Sequence, residues 1–326
     1  MRSVALLVAC SAIAFAATRP HYGGTLRVEI RPSIETPDPP TIGRGLPDLA
    51  GQFNITRWEA GRRAVFDANE NAPGGRPFLD TIEVIMGRPL RDQSIDLELG
   101  RADVIELGPA ELRRQPAGRK IWSSSPVRVL ALVFSARIED ARVREALALA
   151  VDRAAIHSVL LQRQGEISAA LLPQWLSGLA FLFPTATDLP RARQLAAGAK
   201  PLSLAVDDPS LRPIAERIAV NARDVGLSVT IGQSGDVRLT ELRVISLDPA
   251  TALSAMAVSL GLPEPPRATT PESLYGAERA LLEGYRVIPL IHLPDVYGAA
   301  QRVHGTGITP LGEWHFENLW LEGARP

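Results

Sequence analysis

Histidine and serine are the residue types whose spacing would reveal a metal site or an activated nucleophile. The histidines of the sequence are His21, His157, His292, His304 and His315. No two of them have the spacing of helical metal ligands, although the last three could converge in the folded chain. The string 232–235 lacks the spacing of a serine nucleophile elbow and is typical of a turn. The sequence therefore predicts no enzyme, no metal site and no cofactor.

Composition narrows the class of protein further. The chain has 326 residues, of which 46% are hydrophobic, and 35 basic side chains balance 36 acidic ones. This length suits about two domains or lobes. A net charge of −1 gives no bulk attraction to nucleic acid or to anionic lipid. The single cysteine excludes an intramolecular disulfide.

The first 17 residues have the pattern of an export signal. Arg2 supplies a short positive region, an apolar run covers 4–15, and small residues at its end fit cleavage after Ala16 or Ala17. The run is shorter than the about 20 apolar residues that a membrane span needs. One alternative is a lipoprotein signal that ends at Cys10, because the residues before it resemble a lipobox; another is a buried N-terminal helix. We predict an extracytoplasmic or periplasmic protein.

Apolar periodicity places strands and linkers along the chain. Apolar and polar residues alternate over 25–30 and 80–86, which predicts half-buried strands. The run 129–134 is continuously apolar and suits a strand covered on both faces. Repeated prolines forbid regular structure over 31–50, so this segment is predicted to be a linker or an extended crossing.

The pattern of segment 201–231 predicts a βαβ unit with parallel strands. Two alternating stretches flank a helical stripe, and Gly226 ends the helix. Asp208 or Ser210 could cap this helix. We favour Ser210, because it puts Pro213 at the third helical position, where no N–H is needed.

Two further helices have clear starts. Asp140 can cap one helix, and Thr270 followed by Pro271 opens another. Strands that alternate with helices of this size indicate an α/β protein. The helix charges at 142, 144, 152 and 153 are predicted to be solvated or paired at the surface.

Five segments occur in an order typical of one family. They are an opening strand at 22–28, a tryptophan- and glycine-containing stretch at 56–83, a Gly-x-x-Asp-Val string at 100–104, a helix with the pattern D-x-RVR-x-AL-x-x-A-x-DR at 140–153, and a return at 287–320. In this order they resemble bacterial extracellular solute-binding proteins of family 5, the peptide/nickel type that serves ABC importers.

The resemblance implies an α/β fold of the type II periplasmic binding protein class, with two lobes, mixed sheets and a reduced first lobe. It implies a signal peptide at 1–17, a first lobe at 18–126, a second lobe at 127–285 and a return to the first lobe at 286–326. The implied partners are a small solute or peptide and an ABC permease in the cytoplasmic membrane, with the chain acting as a monomer.

Departures from the family pattern limit the predicted ligand site. The segment 31–52 replaces a long stretch of the first lobe, and the family's aromatic ligand-side loop is reduced to a string that ends at Asp248. Asp248 is a candidate cleft residue, although it could also be a turn residue before a proline. Trp175 resembles the family's proline-aromatic loop near the ligand, with packing as the alternative. Phe53 and Trp58 could line the first-lobe wall.

Three functions are compatible with these patterns. The leading hypothesis is a compact solute-binding protein that delivers a small solute, with peptides as one candidate class, to an ABC transporter permease. The second is a degenerate binding-protein scaffold that acts in interaction or sensing without transport. The third, an exported enzyme, has no catalytic pattern to support it.

Overall fold

The computed structural model describes residues 19–36, 51–114, 119–179, 181–206 and 208–323. The predicted export signal, its cysteine and most of the proline-rich segment lie outside these residues. Among the helices that the structure describes, none is long and apolar enough to cross a membrane.

Eleven strands of the described chain form one mixed sheet. They are β1 (Thr25–Glu29), β2 (Phe53–Glu59), β3 (Arg63–Ala68), β4 (Thr81–Ile85), β5 (Val104–Glu106), β6 (Lys120–Phe134), β7 (Glu166–Ile167), β8 (Leu202–Val206), β9 (Val229–Gly232), β10 (Val237–Arg243) and β11 (Val287–Ala299). Across the sheet the order is β2-β3-β4-β1-β5-β11-β6-β10-β8-β9, and β7 pairs with β11. A separate pair consists of β12 (Val303–His304) and β13 (Trp320–Leu321).

Helices pack against this sheet, and in the second lobe they cover both of its faces. They are α1 (Leu90–Glu98), α2 (Pro109–Arg114), α3 (Ala141–Ala150), α4 (Arg153–Ala155), α5 (Gln174–Ser177), α6 (Leu189–Ala196), α7 (Arg212–Asp224), α8 (Pro249–Ser259) and α9 (Pro271–Leu282). A π-helical turn, Ile156–Leu160, follows α4 directly. Short 3₁₀ turns occur at Pro209–Leu211 and Phe316–Asn318.

The buried apolar side chains divide between two lobes. In the first lobe, residues of β1 to β5 pack against the segment after β11, where Phe316 is fully buried. In the second lobe, one sheet face packs against α3, α6 and α7, and the opposite face packs against α8 and α9. Alternate β6 residues supply the two faces: Leu130 and Leu132 face α3 and α7, whereas Val129 and Ala131 face α8. Helices on both sheet faces agree with the predicted α/β class.

The long strands β6 and β11 pass through both lobes as an antiparallel pair. In the second lobe β6 also pairs with β10, and in the first lobe the end of β11 pairs with β5. Between these stretches Pro126 faces Pro294, and the register shifts on both sides of Pro294. A proline cannot donate a ladder hydrogen bond. We call the passage of β6 and β11 between the lobes the double crossing. Hydrogen bonds constrain the two strands least there, where the lobes meet.

The predicted βαβ unit forms, but its helix starts differently. β8 and β9 are parallel, as expected. Asp208, rather than Ser210, supplies the capping carboxylate, which accepts from the Ser210 amide at 2.8 Å. A 3₁₀ turn follows, and Leu211 precedes the first residue of α7. Pro213 then takes the second helical position, where its missing N–H also costs nothing.

The helix with the family-like arginine pattern contributes to the interior. Asp140 caps α3 by accepting from the Arg142 amide, as predicted. Arg144, however, is 6% exposed and donates to the carbonyls of Ile138, Glu139 and Gly284. The prediction of a solvated side chain was wrong here, because these backbone acceptors compensate the loss of water.

Arg153 is the second arginine of this pattern that is buried. It is 4% exposed and donates to the Pro289 carbonyl of β11 and to the Ala148 carbonyl. Burial lowers the pKa of Arg153 to about 10. The expectation of a surface charge was wrong, and the side chain instead ties α4 to the crossing strand.

Candidate ligand-binding region

The ends of β1 and β8 bring the two lobes into direct contact. Arg31 follows β1, and its backbone amide donates to Glu106 Oε2 at 2.6 Å. Its Nη1 lies 3.3 Å from Asp208 Oδ2 and 3.4 Å from Ser210 Oγ in the second lobe. Both strands have parallel neighbours, and ligands of open α/β sheets bind outside the carboxyl ends of such strands. Arg31 and Asp208 therefore mark a place where one ligand can meet both lobes.

Four charged side chains form a network beside the double crossing. Arg128 pairs with Glu241 and with Asp295, the latter at 2.9 Å. Arg243 also pairs with Asp295 and donates to the Leu311 carbonyl at 2.8 Å. Burial alone would lower the pKa of Arg128, but the neighbouring carboxylates raise it above its usual value. The network joins β10 to the two crossing strands and to the C-terminal segment.

Trp175 lies at the same crossing. It belongs to α5, and its indole Nε1 donates to the Pro126 carbonyl at 2.7 Å. The residue is nevertheless 39% exposed. Its N–H is therefore satisfied by β6, while part of the ring stays open beside the junction of the lobes.

Two buried titratable side chains hold the loop that leads to Trp175. Glu278 Oε1 accepts from the backbone amides of Leu171 and Leu172 at 2.6 and 2.8 Å. His292 Nε2 lies 3.1 Å from the Leu171 carbonyl, and this nitrogen carries the proton because a carbonyl can only accept. Burial raises the pKa of Glu278 to about 7 and lowers the pKa of His292 to about 4. Burial thus favours the neutral form of both side chains.

A cavity of about 290 Å³ lies in the second lobe beside this loop. We call it the His292 cavity. Its lining residues are His157, Glu166, Ile167, Ser168, Gln174, Phe181 and His292. The volume is close to the lower end of small-molecule sites, about 300 Å³. Neither Trp175 nor Asp248 lines it.

The other predicted site residues have structural partners. Asp248 is exposed and caps α8, where its carboxylate accepts from the amide three residues on at 3.1 Å. Phe53 is 4% exposed in the first-lobe core, so its ring offers no open face of the kind expected for a cleft wall. Trp58 packs against the same core and donates to the Glu35 carbonyl at 3.1 Å. Trp175 and Asp248 thus lie in the second lobe, and the other two lie in the first.

The sequence reasoning missed Arg31, Asp208 and Glu278 as site residues. The first two directly follow predicted strands, and polar residues at strand ends are a usable signal. Glu278 is flanked at intervals of four by the buried Leu274 and Leu282, so an acid interrupts the apolar stripe of α9. That interruption was visible in the sequence.

The C-terminal histidines do not converge. His292 is buried in the second lobe, His304 stacks on Trp320, and His315 pairs with Glu317. In the part of the chain that the structure describes, no group of three or more histidine, cysteine or acidic residues could hold a metal ion.

Two α/β lobes joined by a pair of long crossing strands define a periplasmic binding protein of type II. Solved structures show the same fold. NikA from Staphylococcus aureus, in complex with Ni(L-His)2, is 15% identical with a TM-score of 0.72, and the match covers 83% of this chain and 68% of that chain. A dipeptide-binding protein from Pseudoalteromonas sp. SM9913, in complex with Met-Leu, is 16% identical with a TM-score of 0.70, covering 83% and 64%.

The sequence comparisons identify the family. The model described as bacterial extracellular solute-binding proteins, family 5 Middle, matches residues 16–264. The chain therefore belongs to family 5 of the bacterial extracellular solute-binding proteins, whose members are extracytoplasmic binding proteins. The oligopeptide-binding protein AppA of Bacillus subtilis is 26% identical over 158 residues, which are 46% of this chain and 28% of that protein. The chain thus matches less than a third of this curated relative's length.

Proposed function

We propose that the protein captures a small solute, with peptides as the leading class, between its lobes and delivers it to an ABC permease. It acts as a monomer outside the cytoplasmic membrane after export directed by residues 1–17. In this proposal 18–126 and 286–326 form the first lobe, and 127–285 form the second.

The contact of Arg31 with Asp208 carries this proposal. It joins the lobes at the ends of β1 and β8, and the two long strands that connect the lobes shift their register on both sides of Pro294. A solute bound there touches both lobes and stabilises the closed arrangement relative to the open one. Such capture needs polar groups and an adjustable gap, and it needs no catalytic residue.

The peptide class is supported by the relatives. AppA is an oligopeptide-binding protein by name, and its solved structure contains a nonapeptide. We propose that Trp175 borders the solute with the open part of its ring, and that Asp248 and Trp58 lie further from it. Phe53 supports the first-lobe wall from within the core.

The test is thermal unfolding of the exported chain with a panel of dipeptides, longer peptides and Ni²⁺ with L-histidine. A ligand that binds only the folded state at a hundred times its Kd adds about 2.7 kcal/mol to the free energy of unfolding. We expect at least one peptide to raise the unfolding midpoint, and Trp175→Ala to reduce that increase. If no compound of the panel shifts the midpoint, the capture hypothesis fails.

A second candidate function is a binding-protein scaffold that acts in interaction or sensing without transport. The observation that favours it is that the chain itself uses polar groups of the candidate ligand-binding region: Asp248 caps α8, and Asp208 pairs with Arg31. This function predicts that the protein retains its fold and binds a macromolecular partner, while every solute of the panel leaves its unfolding midpoint unchanged.

A further inference from the structure

An exposed carboxylate at the edge of the His292 cavity has no partner in the described chain. Within the described residues, no hydrogen bond or ion pair involves the side chain of Glu166, whose backbone pairs with β11. The lining includes neither lysine nor arginine. The cavity therefore has an uncompensated negative charge at its edge, which favours a cation over a neutral or anionic guest.

Both imidazoles of the cavity are oriented by backbone carbonyls. His157 Nε2 lies 3.1 Å from the Gly165 carbonyl, and His292 Nε2 lies 3.1 Å from the Leu171 carbonyl. Because carbonyls only accept, the Nε2 atoms of both rings are donors in these contacts. Burial lowers the pKa of His292 to about 4, so this ring adds no positive charge at neutral pH. The imidazoles thus shape the walls, and His292 does not repel a cation.

An unusual backbone brings these groups together. His157 lies in the π-helical turn Ile156–Leu160, a type of turn frequent at functional sites. Gln162 and Arg163 follow with φ values of 53° and 63°, a region that non-glycine residues rarely adopt. At Gly165 a Cβ would lie 2.0 Å from the His292 carbonyl oxygen, so only glycine allows this approach to β11. The chain therefore accepts local strain in the segment that carries Glu166 to the cavity.

An exposed aromatic ring completes the lining. Phe181 is 61% exposed although it borders the cavity, and its backbone bridges to Ala169. An aromatic face attracts a cation placed within about 6 Å of its centre. Phe181 and Glu166 are thus two different groups that favour the same class of ligand.

We propose that the His292 cavity binds the ammonium group of a small organic amine, with Glu166 as its counter-charge and Phe181 as an aromatic wall. The Gln174 amide oxygen is a further acceptor in the same lining. The site lies within the second lobe and does not depend on solute capture between the lobes. The charge and the aromatic ring of the lining indicate the ligand class, and the volume of about 290 Å³ suits a small molecule.

The test is calorimetric titration of the full exported chain with propylammonium chloride at neutral pH, and with propan-1-ol and sodium propionate as matched probes. Few atoms take part, so we expect a Kd in the millimolar range for the amine and much weaker binding of the other two. Glu166→Gln removes the charge and keeps the shape, and because Glu166 is exposed it should weaken amine binding about three- to fivefold. Phe181→Leu should weaken it by a smaller factor.

Glu98→Gln is the matched control, since Glu98 is an exposed glutamate at the end of α1 in the first lobe. It should leave amine binding unchanged. Equal binding to wild type and to Glu166→Gln, equal binding of propan-1-ol or propionate, or no binding of propylammonium well above the millimolar range would each overturn the proposal. Circular dichroism of each variant separates a lost site from a lost fold, and Phe181→Leu remains informative if Glu166→Gln is unstable. If no peptide shifts the unfolding midpoint but propylammonium binds, the proposal of solute capture between the lobes fails and the amine site stands.

Discussion

At the residue scale, Asp103 shows how one buried charge connects distant parts of the first lobe. It is 1% exposed, and its carboxylate accepts from Arg27 Nε at 3.0 Å and from Arg302 Nε at 2.7 Å. Burial alone would raise the pKa of Asp103, but the hydrogen bonds from Arg302 and Arg27 outweigh it and hold the pKa below its usual range. The carboxylate thus joins β1 to the segment after β11.

We expect Asp103→Asn to destabilise the protein strongly. The variant leaves two arginines without their shared counter-charge, and because these arginines are 34% and 41% exposed we expect a loss of about 1.5 to 3 kcal/mol, as for hydrogen bonds to a charged group. Urea unfolding at neutral pH measures it, with the exposed Asp224→Asn as control, which should stay within about 0.5 kcal/mol of wild type. Similar unfolding free energies for the two variants would contradict a structural role for the Asp103 charge.

Glu278 and His292 predict opposite effects of pH on stability. The pKa of Glu278 is raised from 4.5 to about 7, so its contribution is complete below 4.5 and is lost as pH rises through about 7. The pKa of His292 is lowered from 6.5 to about 4, so its contribution is complete above 6.5 and is lost as pH falls through about 4. Between pH 4.5 and 6.5 the two contributions change in opposite directions.

Two variants separate these contributions. Glu278→Gln keeps an acceptor for the amides of Leu171 and Leu172 but does not titrate. Relative to wild type, it should gain up to about 3 kcal/mol of unfolding free energy as pH rises from 4.5 to 7. His292→Gln should gain a similar amount as pH falls from 6.5 to 4. Urea unfolding across this range measures both, and curves parallel to wild type would exclude the linkage.

At the element scale, the start of α8 separates two roles of Asp248. Its carboxylate accepts from both the amide and the hydroxyl of Thr251, and these hydrogen bonds lower the pKa of Asp248. A serine can replace an aspartate as a helix cap, whereas an alanine cannot. The same position was predicted from the sequence as a ligand residue.

We expect Asp248→Ala to lower the thermal midpoint by a few degrees, because α8 loses its cap, and Asp248→Ser to stay close to wild type. Calorimetry measures both midpoints. If a peptide binds the protein, its affinity for Asp248→Ser then reports on the carboxylate alone. If a stable Asp248→Ser variant binds the peptide with unchanged affinity, Asp248 is not a ligand residue.

The sequence predicted the starts of some helices correctly and the start of another wrongly. Asp140 and Thr270 cap α3 and α9 as predicted, because an N-cap depends on residues within one turn. The start of α7 was wrong, since Asp208 caps a 3₁₀ turn that the apolar periodicity does not register. Asp208 also pairs with Arg31 of the other lobe, and this contact between distant parts of the chain cannot be seen in the local sequence pattern.

At the scale of the whole molecule, the contact of Arg31 with Asp208 is a cross-lobe ion pair that biases the arrangement of the lobes. Both side chains are partly exposed, at 34% and 43%, so the pair contributes at most about 1 kcal/mol. That is enough to change the ratio of closed to open arrangements severalfold.

We expect Arg31→Gln to increase the radius of gyration of the ligand-free protein in small-angle scattering, because the open arrangement gains population. High salt should have the same effect on wild type. Arg212→Gln is the control, since Arg212 pairs with Glu216 within α7 and does not join the lobes. A radius unchanged by Arg31→Gln and by salt would show that the pair has no effect on the lobes.

The sequence by itself determined the α/β class, the parallel unit at 201–231 and the family, because these depend on local periodicity and on the order of short motifs. Tertiary structure decided which polar groups are buried and what they contact. The Leu171 backbone meets Glu278 and His292, which are 107 and 121 positions away, and Arg144 reaches Gly284 across 140 positions. Periodicity gives the face on which a side chain lies, but not the distant backbone that compensates its burial. Only the folded chain therefore revealed the junction of the lobes and the His292 cavity.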